Sequence, residues 1–188
     1  GRIEILPRQL CLELEEKRDD VWWARQFSNP YNTAAHREGT AQEILEQTDG
    51  NLDAFVASVG TGGTLLGVAQ ALKAHNPRIL IVGVEPAGSP LLAGKTEDYP
   101  MLKGVTDGII PEIFLSGLVD RVSTITDAEA IDTAHQLAEQ EGIFCGMSSG
   151  ANVLVCLRLA QELGPGKRIV TVLPDSRDRY LAVEKYTT

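Results

Sequence analysis

A chain of 188 residues with 43% hydrophobic content can bury one substantial core, and it sits near the upper end of single-domain size. Its net charge of -9 offers no run of Lys and Arg to displace counterions from a phosphate backbone, which excludes nucleic acid as a natural partner. No apolar run approaches the roughly 18 to 20 residues of a membrane span, and Cys11, Cys145 and Cys156 sit among apolar residues without metal-ligand spacing, so a cytoplasmic protein with reduced thiols, no metal site and no membrane partner is expected.

The chain opens on Gly1-Arg2-Ile3-Glu4-Ile5 without a start methionine, as a piece of a longer protein or a processed chain would. Leu10, Leu12, Leu14, Val21 and Trp22 among many charges predict a helix and then a short apolar strand between Leu6 and Arg25. Ser28-Asn29-Pro30 interrupts the pattern, and a helix resumes from Thr33 to Gln47, ending near Asp49-Gly50.

From Leu52 the organisation is regular. Asp53 to Val59 reads as a strand, Gly60 to Thr64 as a glycine loop, Leu65 to His75 as a helix and Arg78 to Val84 as the next strand. That order describes a βαβ unit, and the nearly continuous apolar runs indicate a parallel sheet covered by helices on both faces, a three-layer α/β/α fold. The stretch Ala87 to Gly108, with Lys95 and Lys103, is long enough for an active-site loop. Val119 to Ile125 is a further strand, and Thr126 with Glu129 forms a capping box for a helix through Glu141 that Gly142 stops. Ile143-Phe144 reads as a short strand, Gly146 to Gly150 as a second small-residue turn, Ala151 to Leu163 as a helix, and Arg168 to Leu173 as a last strand ended by Pro174-Asp175-Ser176. All these strand ends emerge at the carboxyl edge of the sheet, where such folds bind ligands.

Gly60-Thr61-Gly62-Gly63-Thr64, between a strand and a helix, brings unpaired backbone N–H groups and the positive end of a helix dipole onto one point, with two hydroxyls beside them; a phosphate suits that place. A packing turn without a ligand is the plain alternative. The P-loop pattern fails because no Lys followed by Ser or Thr closes the loop. The dinucleotide fingerprint fails at its third glycine, where Leu65 stands, although Glu85 ends the next strand as a ribose-binding acid would. Ser148-Ser149-Gly150 opens a second helix at the same edge, so two sets of donors could hold opposite ends of a flat ligand, or it is an ordinary helix cap. His36, His75 and His135 lack carboxylate or Cys partners at ligand spacing and are expected at the surface, and Asp175, Arg177, Asp178 and Arg179 read as a solvated cluster.

Taken together, Gln26-Phe27-Ser28-Asn29-Pro30, Val59-Gly60-Thr61-Gly62-Gly63-Thr64, Gly146-Met147-Ser148-Ser149-Gly150-Ala151 and Pro174-Asp175-Ser176 with Arg179-Tyr180-Leu181 resemble the O-acetylserine sulfhydrylase (cysteine synthase) family, from Gln26 to the end of the chain. The resemblance implies the tryptophan synthase β-like fold, residues 26–188 as its large domain binding the pyridoxal 5′-phosphate (PLP) phosphate, and residues 1–25 as the end of a preceding small domain or linker. It implies that Gly60, Thr61, Gly62, Gly63 and Thr64 hold the cofactor phosphate, that Ser148 hydrogen-bonds the ring nitrogen and that Pro174 packs beside it. It gives Gln26, Phe27 and Gly104 to the substrate, an acetylserine or similar β-substituted serine that receives sulfide to make cysteine. The family's cofactor-bearing lysine belongs to a segment ahead of Gly1, and Lys17, Lys73, Lys95, Lys103, Lys167 and Lys185 all lack its surrounding motif, so no catalytic residue is assigned and the chain alone is expected to be inactive. A homodimer and a serine acetyltransferase tail are the partners the family suggests. A cystathionine β-synthase and a phosphoserine-dependent cysteine synthase are alternatives, since Val105-Thr106-Asp107-Gly108 departs from the best-known cysteine synthases, and a non-catalytic binding or regulatory domain that keeps the fold without the lysine is another.

Overall fold

The computed structural model describes residues 2–88 and 117–179. Gly104, Lys95, Lys103, Lys185 and the Tyr180-Leu181 pair lie outside the described residues. Chain order runs α1 (Arg2–Lys17), α2 (Pro30–Ala35), a π turn (His36–Thr40), α3 (Ala41–Gln47), β1 (Ala54–Ser58), α4 (Gly63–His75), β2 (Leu80–Pro86), β3 (Arg121–Ile125), α5 (Asp127–Glu141), α6 (Met147–Leu163), β4 (Ile169–Thr171) and a 3-10 turn (Arg177–Arg179).

The four described strands pair in parallel in the order β3-β2-β1-β4. Val56 sits between Val82 and Thr171, and the Thr171 hydroxyl also donates to the Val56 carbonyl at 2.7 Å. Side chains alternate across the sheet, as a period of two dictates. Phe55, Ala57 and Ile81 pack under α3 and α4 against Ile44, Leu65 and Leu72, while Val56, Val82 and Val84 pack on the opposite face against Ala130, Val155 and Leu159. Fully burying side chains such as Phe55, Leu72 and Ile81 contributes about 1.5–3 kcal/mol each, so both helical layers are fastened to β1 and β2. This is the expected three-layer α/β/α arrangement. From β1 the sheet continues to β2 and β3 on one side and takes β4 on the other, so a crevice opens at the carboxyl ends of the central strands.

Two short predicted strands are absent. Around Val21 and Trp22 the backbone is irregular: the Trp23 N–H donates to Glu15 Oε1 at 3.2 Å, the Arg25 guanidinium pairs with Glu15 and lies 4.9 Å from the Trp23 ring centroid, and Arg25 has φ 46. Those contacts fold the segment back on α1 and leave Trp22 76% exposed, without a neighbouring strand. At Ile143-Phe144 the end of α5 consumes the backbone donor, because the Ile143 N–H bonds the Leu137 carbonyl at 3.1 Å beyond Gly142 at φ 69. Only a lone antiparallel bridge between Cys145 and Ser176 remains. The helix expected from Thr33 starts earlier, with Asn29 capping the Tyr31 N–H at 3.0 Å, and widens into the π turn at His36.

The capping box on α5 forms as the sequence predicts, and it carries a pH dependence. Thr126 donates to Glu129 Oε2 through its hydroxyl at 2.7 Å and its backbone N–H at 2.9 Å, and Arg158 of α6 reaches Oε1 at 2.6 Å. These bonds, the Thr126 hydroxyl first, lower the Glu129 pKa to about 2. A folded-state pKa below the unfolded value means stabilisation that is complete above about pH 4.5 and lost as pH falls toward 2. Glu129→Gln keeps a capping side chain but cannot titrate, so thermal melts between pH 5 and pH 2 should show a shallower acid loss than the unsubstituted protein, roughly on the window of a carboxylate titration. Equal slopes would exclude this group as a source of acid sensitivity.

Candidate functional site

A cavity of about 450 Å³ opens at the carboxyl edge of the sheet, within the range of small-molecule sites. Gly60, Thr61, Gly62, Gly63 and Thr64 line one side, Ser148 and Pro174 line it as well, and Val59, Val84, Ile125, Ala151 and Val172 supply apolar wall. The two small-residue turns seen in the sequence therefore share one space. Gln26 and Phe27 are not among its lining residues; Gln26 is exposed, Phe27 half-buried, and the Gln26 carbonyl reaches the site indirectly through Asn32.

The glycine loop is shaped for an anion. Gly62 caps α4 at φ 83, a left-handed conformation that suits glycine, and has no side chain to cap the helix, so the first N–H groups of α4, which have no intrahelical partner, start at residues that line the cavity. A Cβ on Gly60 would meet nothing within 4 Å, which leaves room beside those donors. Thr61 Oγ1 accepts from Asn32 Nδ2 at 2.9 Å and from the Gly63 N–H at 3.4 Å, and Thr64 Oγ1 lies 3.1 Å from His36 Nε2. Asn32 and His36 were not singled out from sequence as site residues, and His36 was expected at the surface; it is half-buried, with its pKa lowered by desolvation. The signal was available in their spacing, since positions 32, 36 and 40 share one helix side.

Ser148 sits in the first turn of α6, which begins at Met147 with Gly146 as its cap, four residues earlier than predicted. Gly146 is held there by its N–H bond to the Asp175 carbonyl at 3.0 Å. The Ser148 hydroxyl donates to Asp175 Oδ1 at 3.4 Å, too long a contact to hold the proton against a better acceptor. Glu85 is buried in the cavity wall at the end of β2, followed by Pro86. His135 is also half-buried: Arg177 bonds its Nε2, and the same guanidinium lies 5.7 Å from the Phe144 ring centroid, so Arg177 is part of the packing and not of a solvated cluster. His75 is exposed, as expected.

The donor set fits PLP: backbone N–H groups and hydroxyls for a phosphate at one end, a neutral hydroxyl on α6, and apolar wall between for a flat ring. Among the described residues no lysine lines the cavity. Lys73 is paired with Asp120 at 2.7 Å, Lys167 with Asp53 at 2.9 Å and Lys17 with Glu13 at 3.6 Å.

Known proteins place the cavity in context. A cysteine synthase of Staphylococcus aureus is 41% identical over 164 residues, 87% of this chain and 53% of the relative. O-acetylserine sulfhydrylase isoform 3 from Entamoeba histolytica superposes with a TM-score of 0.81 at 38% identity, over 96% of this chain and 54% of that one. An O-acetylserine dependent cystathionine β-synthase from Helicobacter pylori gives 0.79 at 38% identity, over 90% and 55%. The chain thus spans about half the length of these relatives, and its fold is their tryptophan synthase β-like fold. The family match covers residues 7–175, nearly the whole of what has been described, and on that match the chain belongs to the pyridoxal-phosphate dependent enzymes, whose cofactor is PLP.

Proposed function

We propose that this chain is the cofactor-holding part of a β-replacement enzyme that makes L-cysteine from O-acetylserine, or a similarly activated serine, and sulfide. The observation that carries the reading is the convergence of the Gly60–Thr64 loop, Ser148 and Pro174 on one cavity, in a chain similar to cysteine synthases. When bound, PLP draws electron density from the α-carbon of an amino acid and so eases loss of its β-substituent. The loop amides and the Thr61 and Thr64 hydroxyls fix the phosphate. Ser148 donates a neutral hydrogen bond to the ring nitrogen; a hydroxyl does not force a proton onto that nitrogen as a carboxylate would, which keeps the electron sink mild and favours β-elimination over transamination. Pro174 packs by the ring, and the family resemblance alone gives Gln26, Phe27 and Gly104 to the substrate, since Gln26 and Phe27 stand outside the described cavity lining.

On this reading the lysine that moves the α-proton is not part of the described cavity wall, and these 188 residues by themselves are expected to show no turnover. The active assembly is a cytoplasmic homodimer, able to take the tail of a serine acetyltransferase. Likeness to the cystathionine β-synthase favours one variant, in which a larger thiol replaces sulfide. The test is the protein as purified from its own cells, given PLP, sulfide or a thiol, and in turn O-acetylserine, O-phosphoserine and serine. Cysteine from O-acetylserine, with a phosphopyridoxyl group on one lysine after borohydride reduction, is expected. PLP saturation without product from any pair would replace the enzyme by a binding domain.

A further inference from the structure

Both threonines of the glycine loop are held from behind by one side of the helix that runs through α2 and the π turn. Asn32 Nδ2 donates to the Gln26 carbonyl at 2.8 Å and to Thr61 Oγ1 at 2.9 Å. A carbonyl can only accept, so the amide nitrogen is fixed in place and Thr61 must be its acceptor. The Thr61 hydroxyl proton is then left for a ligand.

His36 stands one turn further along, with Nε2 3.1 Å from Thr64 Oγ1 and Nδ1 3.0 Å from Thr40 Oγ1. Burial lowers its pKa, so the ring is neutral at neutral pH and carries a single proton. The line of bonds therefore runs in one of two directions. If Nδ1–H donates to Thr40, Thr64 gives its proton to Nε2 and turns lone pairs toward the cavity. If Thr40 donates to Nδ1, the Nε2–H donates to Thr64, and the Thr64 proton points at the ligand.

The packing is built for this contact. A Cβ on Gly67 would lie 2.3 Å from the Thr33 carbonyl and 2.7 Å from His36 Cβ, and one on Gly63 would lie 2.2 Å from Asn32 Oδ1, so the two glycines let α4 press against Asn32 and His36. The π turn begins at His36, whose carbonyl accepts from the Ala41 N–H, and such turns recur at functional sites.

We propose, on the reading of the cavity as a phosphate cradle, that His36 is a positioning residue: in its Nε2–H tautomer it holds Thr64 Oγ1 as an acceptor, as Asn32 holds Thr61, so that both threonine protons are donated to the phosphate. The phosphate dianion of PLP, which only accepts, selects that tautomer.

The experiment follows the His36 ring nitrogens by 15N NMR in the full chain, titrated with inorganic phosphate and with PLP, alongside PLP affinities by calorimetry. Saturation should leave the Nε2–H form. His36→Phe, which keeps a ring without a donor, should weaken PLP by roughly tenfold or more, the scale of one charge-assisted hydrogen bond. His36→Gln, whose amide can take the Nε2 position, should recover most of that loss, and the Phe effect should vanish in a Thr64→Val background. An Nδ1–H ring in the saturated chain, or unchanged PLP affinity in His36→Phe, would overturn the assignment. Failure of the unsubstituted chain to bind phosphate or PLP would overturn the cradle reading itself, and this role with it.

Discussion

Replacing Gly150 by Ala should lower the melting temperature by about 4–8 °C and weaken PLP binding at the same time. Gly150 lies buried near the start of α6, where a Cβ would come 2.1 Å from the Ala130 carbonyl oxygen and 2.9 Å from the Ala134 nitrogen. Both are backbone atoms of α5, which cannot swing aside as the end of a long side chain would. The two helices must therefore part, and the packing of Ala130 and Val155 on the sheet opens with them. Alanine gains about 1 kcal/mol of helix propensity over glycine. Overpacking of a close contact costs about 1–3 kcal/mol and more against rigid backbone; a net loss near 2 kcal/mol converts to the stated range for a domain of this size. Ser148 is two residues upstream, so the same shift withdraws its hydroxyl from the cavity. Gly39→Ala is the control, since a Cβ there meets nothing within 4 Å. Thermal unfolding of both variants, with PLP titrations, decides: a Gly150→Ala protein as stable as its parent would mean that α5 and α6 do not approach this closely.

The sheet and its order of elements were legible because their signals are local. Ala54-Phe55-Val56-Ala57 is a run that only a strand covered on both faces buries, and it is fully buried on both. Thr126, Glu129 and Gly142 mark the ends of α5 through bonds made within one turn. The misread pieces depend on partners far away in the chain or on competition for one donor. Val21 and Trp22 have strand-like side chains but no strand to pair with, and Ile143 spends its N–H on the Leu137 carbonyl. For the site, the glycine loop and Ser148 could be placed at one edge because parallel strands deliver all their following loops there. The support behind the loop could not, since it comes from a helix some 30 positions earlier: Asn32 to Thr61 and His36 to Thr64 are contacts of tertiary packing, permitted by Gly63 and Gly67. A histidine without a metal or acid partner at sequence spacing reads as surface, although its partners here are two hydroxyls.

Pyridoxal, which keeps the ring and aldehyde of PLP but lacks the phosphate, should bind at least about 100-fold more weakly. The chain carries a net charge of -9, and Glu85 and Asp127 both line the cavity, so the general field and its nearest carboxylates disfavour a dianion. Affinity for PLP must then come from the loop end, where the first N–H groups of α4 and two threonine hydroxyls supply donors. A hydrogen bond to a charged group is worth about 1.5–3 kcal/mol, and losing two of them without replacement is a factor of roughly 100 or more. The apolar wall and Ser148 contribute equally to both ligands and cancel in the ratio. Calorimetric titration of the two compounds at one pH and ionic strength gives that ratio directly. Equal affinities would mean that the ring alone is held between Val59, Val172 and Pro174, and that the glycine loop is a packing turn that lets α4 approach the helix carrying Asn32 and His36.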